Sequence, residues 1–371
     1  MSSSNFNLLN SIVKILKRNN YSLIQYIPLN FSFLAIAKEH ENIFNLFKKN
    51  KHLIFYFSLF PKIYRFILNE RQKFLLNIFF YNTPVRKELL IKFLSKDLFN
   101  KALKNNFLIK VKRRYVFKIS FVPYKKLIFL RDSYNIYQSR FDPNKSGNAV
   151  WMGADSIMFL RFLKIFLKDK YFKRTIEIGS GTGVVINSIS KKSKFCEAID
   201  YNKKAVKYSS LNSKFNKIKN VKTYYSNLFS KVKGKFDLII ANPWFVDLKK
   251  GGLEEAPFII NKLDKHLSQE GYLLMILNSY IKKDLDTAYS YFKKLSIQKK
   301  FDISIFVNGY SIETDRLYDY KKYGIDHYVS YNVIIKKNGS GLLKRYETSF
   351  YRKLRDYTFI KTYKFLSLFK I

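Results

Sequence analysis

Thr175-Ile176-Glu177-Ile178-Gly179-Ser180-Gly181-Thr182-Gly183-Val184-Val185 runs from an apolar β-like segment through three glycines into a helix-compatible stretch. Glycine lets a backbone turn tightly and lets a ligand approach the main chain closely. A helix that opens just after such a turn presents free N–H groups and partial positive charge, which suits an anion. The segment therefore reads as strand, ligand loop and helix.

The surrounding sequence has the same rhythm. β-like runs recur at TIEIG, KFCEAID, VKTYYSN, FDLIIANP, GYLLMIL, ISIFV and YVSYNVIIKK, with helix-compatible stretches between most of them. Such alternation specifies a mainly parallel sheet with helices on both faces. The last two runs lack a clear helix between them, which predicts an antiparallel hairpin at one edge. The expected fold is α/β, with a Rossmann-like, seven-stranded, mainly parallel sheet.

In the dinucleotide-binding fingerprint the third glycine follows the second by three residues. Here it follows by two, as Gly179-x-Gly181-x-Gly183. About 20 residues on, Asp200 ends the next apolar run, where a carboxylate can accept both ribose hydroxyls. The alternative for Asp200 is the N-cap of the following helix. Asn227 follows the third run. The fourth ends in Ala241-Asn242-Pro243-Trp244-Phe245.

This ordered set resembles the class I S-adenosylmethionine-dependent methyltransferases. Within them it resembles the "small domain" N-methyltransferases that carry an NPPY or NPPF motif, such as release-factor glutamine and ribosomal-RNA guanine-N2 enzymes. The clear match covers roughly residues 150–280. The resemblance implies S-adenosylmethionine as cofactor, held by Glu177, Gly179, Ser180, Gly181, Gly183, Asp200, Tyr201, Asn227, Leu228 and Asn242. Asn227 stands where related enzymes often have Asp facing the adenine amino group. Asn242, Pro243, Trp244 and Phe245 stand at the acceptor side. Two carbonyl-type oxygens, from the Asn242 side chain and the Pro243 backbone, can accept both hydrogens of an NH2 group. That aims the nitrogen lone pair at the methyl group. Phe245 can stack on a planar acceptor. Trp244 replaces the usual second proline and reshapes that pocket.

Upstream, Val150-Trp151-Met152-Gly153-Ala154-Asp155-Ser156 precedes an apolar helix. It resembles the segment that folds over the methyl donor in the glutamine and guanine enzymes, which makes Asp155 a candidate cofactor contact. Asp155 or Ser156 can equally cap the helix.

The chain has 371 residues, enough for two domains. The expected boundaries are a mostly helical, winged-helix-like N-terminal domain at 1–122, a connector at 123–150, the methyltransferase domain at 151–337, and a basic aromatic tail at 338–371. In the first segment, Leu8, Ile12 and Leu16, with Leu9 and Val13, recur at helical spacing. Residues 71–122 read as three short helices and a hairpin across Lys112-Arg113-Arg114, which is the winged-helix arrangement. That arrangement suits nucleic-acid or protein docking, or a cap on the catalytic domain. The winged-helix-like segment and the Gly-Ala-Asp-Ser run together resemble a bacterial subgroup. Asn338-Gly339-Ser340-Gly341 reads as a hinge, and 342–371 as a helix with Leu343, Tyr346, Phe350, Leu354 and Tyr357 on one side.

Lys+Arg number 69 against 27 Asp+Glu, a formal net charge of +42. Such a field attracts nucleic acid, although abundant Lys, Asn, Ile, Phe and Tyr also mark an AT-rich genome. The single cysteine, Cys196, excludes an internal disulfide and fits a reducing, cytoplasmic setting. The four histidines are scattered, so no metal is expected. No run is long and apolar enough to span a bilayer. The acceptor class favoured by the resemblance is a planar amide or amine on a protein or peptide. The alternatives are an RNA base amine, a small molecule, and a nucleic-acid-binding protein with a degenerate methyltransferase domain. The sequence leaves the oligomeric state open.

Overall fold

The computed structural model describes residues 3–24, 69–133, 149–243, 253–283, 285–311 and 322–347. The chain divides into two compact units. The first comprises Met1–Ala154, Gly181–Asn187 and Asn202–Lys219; the second comprises Asp155–Ser180, Ser188–Tyr201 and Asn220–Ile371.

The first unit opens with α1 (Ser3–Arg18), in which Leu8, Leu9, Ile12, Val13 and Leu16 are all buried. This is the stripe that the helical spacing specifies. The rest of the expected N-terminal helical segment, 25–68, lies outside the described residues. Next come α2 (Glu70–Phe79), α3 (Lys87–Leu94) and α4 (Lys96–Lys104). Asn69 begins α2 with a reciprocal capping box: its side chain accepts from Gln72 N–H, and the Gln72 side chain accepts from Asn69 N–H. β1 (Leu108–Val111) and β2 (Arg114–Phe117) form the expected antiparallel hairpin across Lys112-Arg113.

A second hairpin was not expected. β3 (Ile119–Tyr124) pairs with β4 (Leu127–Asp132), so the first ten residues of the anticipated connector belong to a hairpin, eight of them in strands and Lys125-Lys126 in its turn. Ile128, Phe129 and Leu130 are buried there, an apolar run that argues for strand over linker. Residues 134–148 lie outside the described residues. The exposed edge of β4 is closed by α7 (Lys203–Phe215). Asn212, on α7, and Asn216, its C-cap, stand four residues apart, and each bonds one β4 residue twice. Leu130 N–H donates to Asn212 Oδ1 at 2.7 Å, and Asn212 Nδ2 donates to Leu130 O at 3.1 Å. Ile128 and Asn216 repeat the pattern at 3.1 and 2.9 Å. Two side-chain amides thus do the work of a neighbouring strand, which buried backbone groups require.

The second unit is built on one sheet. α5 (Ala154–Phe166) precedes β5 (Phe172–Ile178); α6 (Val184–Ile189) leads to β6 (Ser193–Asp200), and α7 to β7 (Val221–Tyr225). Then follow β8 (Phe236–Ala241), α8 (Ala256–Ile260), α9 (Leu263–His266), β9 (Leu267–Lys282), β10 (Leu285–Asp286), α10 (Thr287–Lys299), β11 (Asp302–Ser311), β12 (His327–Lys336) and β13 (Leu343–Tyr346). The strand order is β13-β11-β12-β9-β8-β5-β6-β7, with β10 pairing the end of β9. β7, β6, β5, β8 and β9 are parallel, whereas β12 runs antiparallel to both β9 and β11. All seven expected strands and the edge-side hairpin are present. Leu238, Ile239, Ile240 and Ala241 of β8 are fully buried. Parallel strands covered on both faces need such continuous apolar runs rather than alternation.

The tail departs from expectation. Leu343–Tyr346 is a strand parallel to β11, not a helix, and 348–371 lies outside the described residues. The cause is local. The Asp302 carboxylate accepts from Ser340 N at 2.8 Å and Leu342 N at 3.1 Å, and Gly341 takes φ +85°. The turn is thereby pinned beside β11, and the next residues extend the sheet. No described helix is long and apolar enough to cross a membrane.

Candidate active site

β5 lies between β6 and β8, and the strand order reverses there, with β6 and β7 on one side and β8 and β9 on the other. In open α/β sheets ligands bind beyond the carboxyl ends of the strands at such a reversal. Ile178 is the register partner of both Ile199 and Ala241. The chain therefore leaves β5 and β8 at the same level. A Cβ on residue 179 would lie 3.9 Å from the Asn242 carbonyl oxygen. The glycine turn and the Asn-Pro turn are neighbours.

The predicted residues of the second unit gather at this edge. Gly179 turns out of β5 with φ +69°, and Ser180 N–H donates to Ile199 O at 2.9 Å. Asp200 ends β6 and is buried. It does not cap α7, because Asn202 does so, accepting from Lys204 N at 2.9 Å. Tyr201 is largely exposed, and its phenol is held above its ordinary pKa by partial burial, then by Asp200 and Glu255. Asn227 is exposed just past β7, and its carbonyl accepts from Ser230 N–H. Leu228 follows with φ +44°. Glu177 lies within β5 and is buried, with Ala198 and Ile240 as its register partners.

Asn242 is fixed from one side. Its Nδ2 donates to Asp155 Oδ2 at 2.6 Å. A carboxylate can only accept, so the amide must turn its NH2 toward Asp155 and its Oδ1 the other way. Pro243 is buried. Trp244 and Phe245 lie outside the described residues. Asp155 occupies the first turn of α5, and its carboxylate holds Asn242. Sequence spacing did not anticipate that pairing, because 87 positions separate the two.

The remaining loop residues belong to the first unit. Gly181 and Gly183 take φ +52° and +71°. A Cβ at 183 would stand 2.3 Å from Ser209 Oγ and 2.9 Å from Asn187 Nδ2. This glycine is required by close packing against α7 as well as by its backbone angle. Asn212 Nδ2 also donates to Thr182 O at 2.9 Å, so the residue that closes β4 also holds the loop. Arg131 stacks on Trp151 at 3.6 Å and donates to Met152 O at 3.1 Å. The sequence carried one usable signal for this, the Asn212-x-x-x-Asn216 spacing on a helix.

Residues 159–304 match the methyltransferase small domain family. That segment resembles the methyltransferase small domains. A curated protein that matches part of the chain is "Ribosomal RNA small subunit methyltransferase C" of Salmonella newport (strain SL254), 28% identical over 134 residues. The match takes in 35% of this chain and 39% of the relative, so the chain spans well under half the length of the curated relatives it matches. The Salmonella choleraesuis protein of that name matches to the same extent. Among solved structures, a ribosomal protein L11 methylase from Lactobacillus delbrueckii subsp. bulgaricus is 17% identical with TM-score 0.36, covering 51% of this chain and 81% of that one. M. capricolum TrmK in complex with S-adenosyl-homocysteine is 15% identical with TM-score 0.34, covering 51% and 71%.

S-adenosylmethionine is the methyl donor of such small domains, and the residues at this edge suit it. The Ser180 hydroxyl is buried and meets no hydrogen-bonding partner among the described residues. Placed at a left-handed glycine turn past a strand end, it is a donor suited to a carboxylate.

Proposed function

We propose that the chain is an S-adenosylmethionine-dependent N-methyltransferase whose acceptor is a planar NH2 group, and that this group is a base amine in RNA. The carrying observation is the Asp155–Asn242 bond. It presents Asn242 Oδ1 as a fixed acceptor beside the glycine turn, where a Cβ on residue 179 would lie 3.9 Å from the Asn242 carbonyl oxygen.

In this reading Gly179, Ser180, Gly181 and Gly183 cradle the donor's methionine end. Asp200 accepts its ribose hydroxyls, Asn227 and Leu228 meet its adenine, and Glu177 and Tyr201 line the same site. When bound, the donor supplies an electrophilic methyl group on a sulfonium. Asn242 Oδ1 and the Pro243 carbonyl accept the two amine hydrogens, which orients the nitrogen lone pair and stabilises the positive charge that grows there. Trp244 and Phe245, next in sequence, would complete the acceptor side. No general base is needed for a base amine, since its extra proton can leave after transfer.

RNA is preferred over the protein or peptide amide because the curated relatives are named as ribosomal-RNA enzymes, and because an amide nitrogen is the poorer nucleophile. The +42 charge supports the same choice. The test is incubation of the purified chain and of Asn242→Ala with methyl-labelled donor and cell extract, separated into RNA, protein and small-molecule fractions. Label should enter RNA with the natural chain only, while both proteins bind donor. Label in protein or in small molecules would overturn the acceptor assignment, and donor binding without any transfer would overturn the activity.

A further inference from the structure

We propose that the β1–β2 turn and the residue that opens α3 form a phosphate-binding face for structured RNA. The proposal rests on the RNA reading above for its choice of partner, but its geometry is independent of the methyl-transfer site. Val85 and Tyr115 form an isolated antiparallel bridge, with Val85 N–H on Tyr115 O at 2.9 Å and Tyr115 N–H on Val85 O at 2.8 Å. Arg86 continues extended, at φ −69° and ψ 150°. The next opposed positions are therefore Arg86 and Arg114, whose side chains share a face. Across the other ladder Arg114 pairs with Val111. Lys110, Val111, Lys112, Arg113, Arg114 and Arg86 are all exposed.

Two like charges set opposite each other on a sheet destabilise it. None of these five cations forms an ion pair with a carboxylate among the described residues. A bound polyanion would relieve that repulsion. Residues 69–133 hold sixteen Lys and Arg against four Asp and Glu, so the surrounding field has the same sign.

Compositional drift does not account for the cluster. Of the 69 basic residues only 14 are Arg, and Arg113-Arg114 is the only adjacent Arg pair in the chain. An AT-rich bias supplies Lys. Arg adds a planar fork that grips a phosphate with two bonds. A membrane is disfavoured because Val111 is the one apolar residue in Lys110–Arg114, whereas surface-lying segments need an apolar stripe.

The test uses the full chain and a fluorescent RNA stem-loop, with anisotropy followed as salt is raised. The Arg86→Gln/Arg113→Gln/Arg114→Gln variant should bind about tenfold or more weakly. Its slope of log affinity against log salt should be shallower by about three, one for each lost phosphate contact. The corresponding triple Arg→Lys variant should keep most of the slope. An unchanged slope in the Gln variant would overturn the proposal, as would equally tight binding of polyglutamate by the natural chain. Donor affinity, measured alongside by calorimetry, should be the same in all three proteins. Failure of donor binding in the natural chain would count against the methyltransferase reading and leave the RNA result standing.

Discussion

The Asn242 side chain is held by Asp155, whose carboxylate lies 2.6 Å from Asn242 Nδ2. The first turn of α5 thus sets the orientation of a group at the end of β8. In the proposed reaction Asp155 would act through Asn242 as a positioning residue.

Replacing that carboxylate should cost catalysis more than binding. In Asp155→Ala the Asn242 amide can rotate, and misplacement of this order lowers turnover by about 10²-fold. Single-turnover methyl transfer should show that loss, while calorimetry shows donor affinity within a few-fold of the natural chain. An unaltered transfer rate would refute the positioning role.

Gly183→Ala should be strongly destabilising. The new Cβ would meet Ser209 Oγ at 2.3 Å, and φ +71° disfavours any L side chain. Overpacking and left-handed strain together amount to about 3 kcal/mol. The urea midpoint should fall accordingly, and Ser209→Gly in the same chain should recover part of it. A midpoint equal to that of the natural protein would show that the loop relaxes freely.

Asn212→Ala strands the Leu130 N–H and C=O, together with Thr182 O. A buried backbone group left unsatisfied costs about 1–3 kcal/mol. Amide exchange at Leu130 should accelerate by about tenfold or more. Asn216→Ala should do the same at Ile128 without disturbing the glycine loop, and donor affinity should separate the two variants. Equal affinities would mean that the Asn212–Thr182 bond does not shape the loop.

His266 gives a pH dependence. Burial holds its pKa below 6.5, outweighing the bond that Nδ1 donates to the Gly234 carbonyl; Lys265 and Lys262 act with burial. Its ring also stacks on Phe229 at 4.6 Å. Because the folded pKa lies below the unfolded one, the unfolded chain binds the proton more readily. The stability that neutral His266 contributes is complete above about pH 6.5 and is lost as pH falls through the folded value. Urea denaturation across pH 5 to 7.5 should show this decline, and His266→Gln should flatten it. An identical slope in the variant would assign the decline to other groups.

Much of this molecule was legible without coordinates. The seven main strands could be read because a sheet covered on both faces requires uninterrupted apolar runs, as in Leu238-Ile239-Ile240-Ala241. The loop could be read because left-handed backbone at Gly179, Gly181 and Gly183 restricts residue type so severely. What stayed hidden depended on partners far along the chain. Asp155 read as a cofactor contact or a helix cap, and its bond to Asn242 appeared only when β8 brought that residue to it. Residues 127–132 looked like linker until β3 and the amides of Asn212 and Asn216 satisfied both of their edges. Leu343–Tyr346 kept a helical spacing, yet Asp302 and Gly341 turned it onto β11. Local sequence fixes the backbone angles and the burial that each segment will tolerate. Which hydrogen-bonding partner each polar group finally meets is a long-range choice, made only when the chain closes on itself.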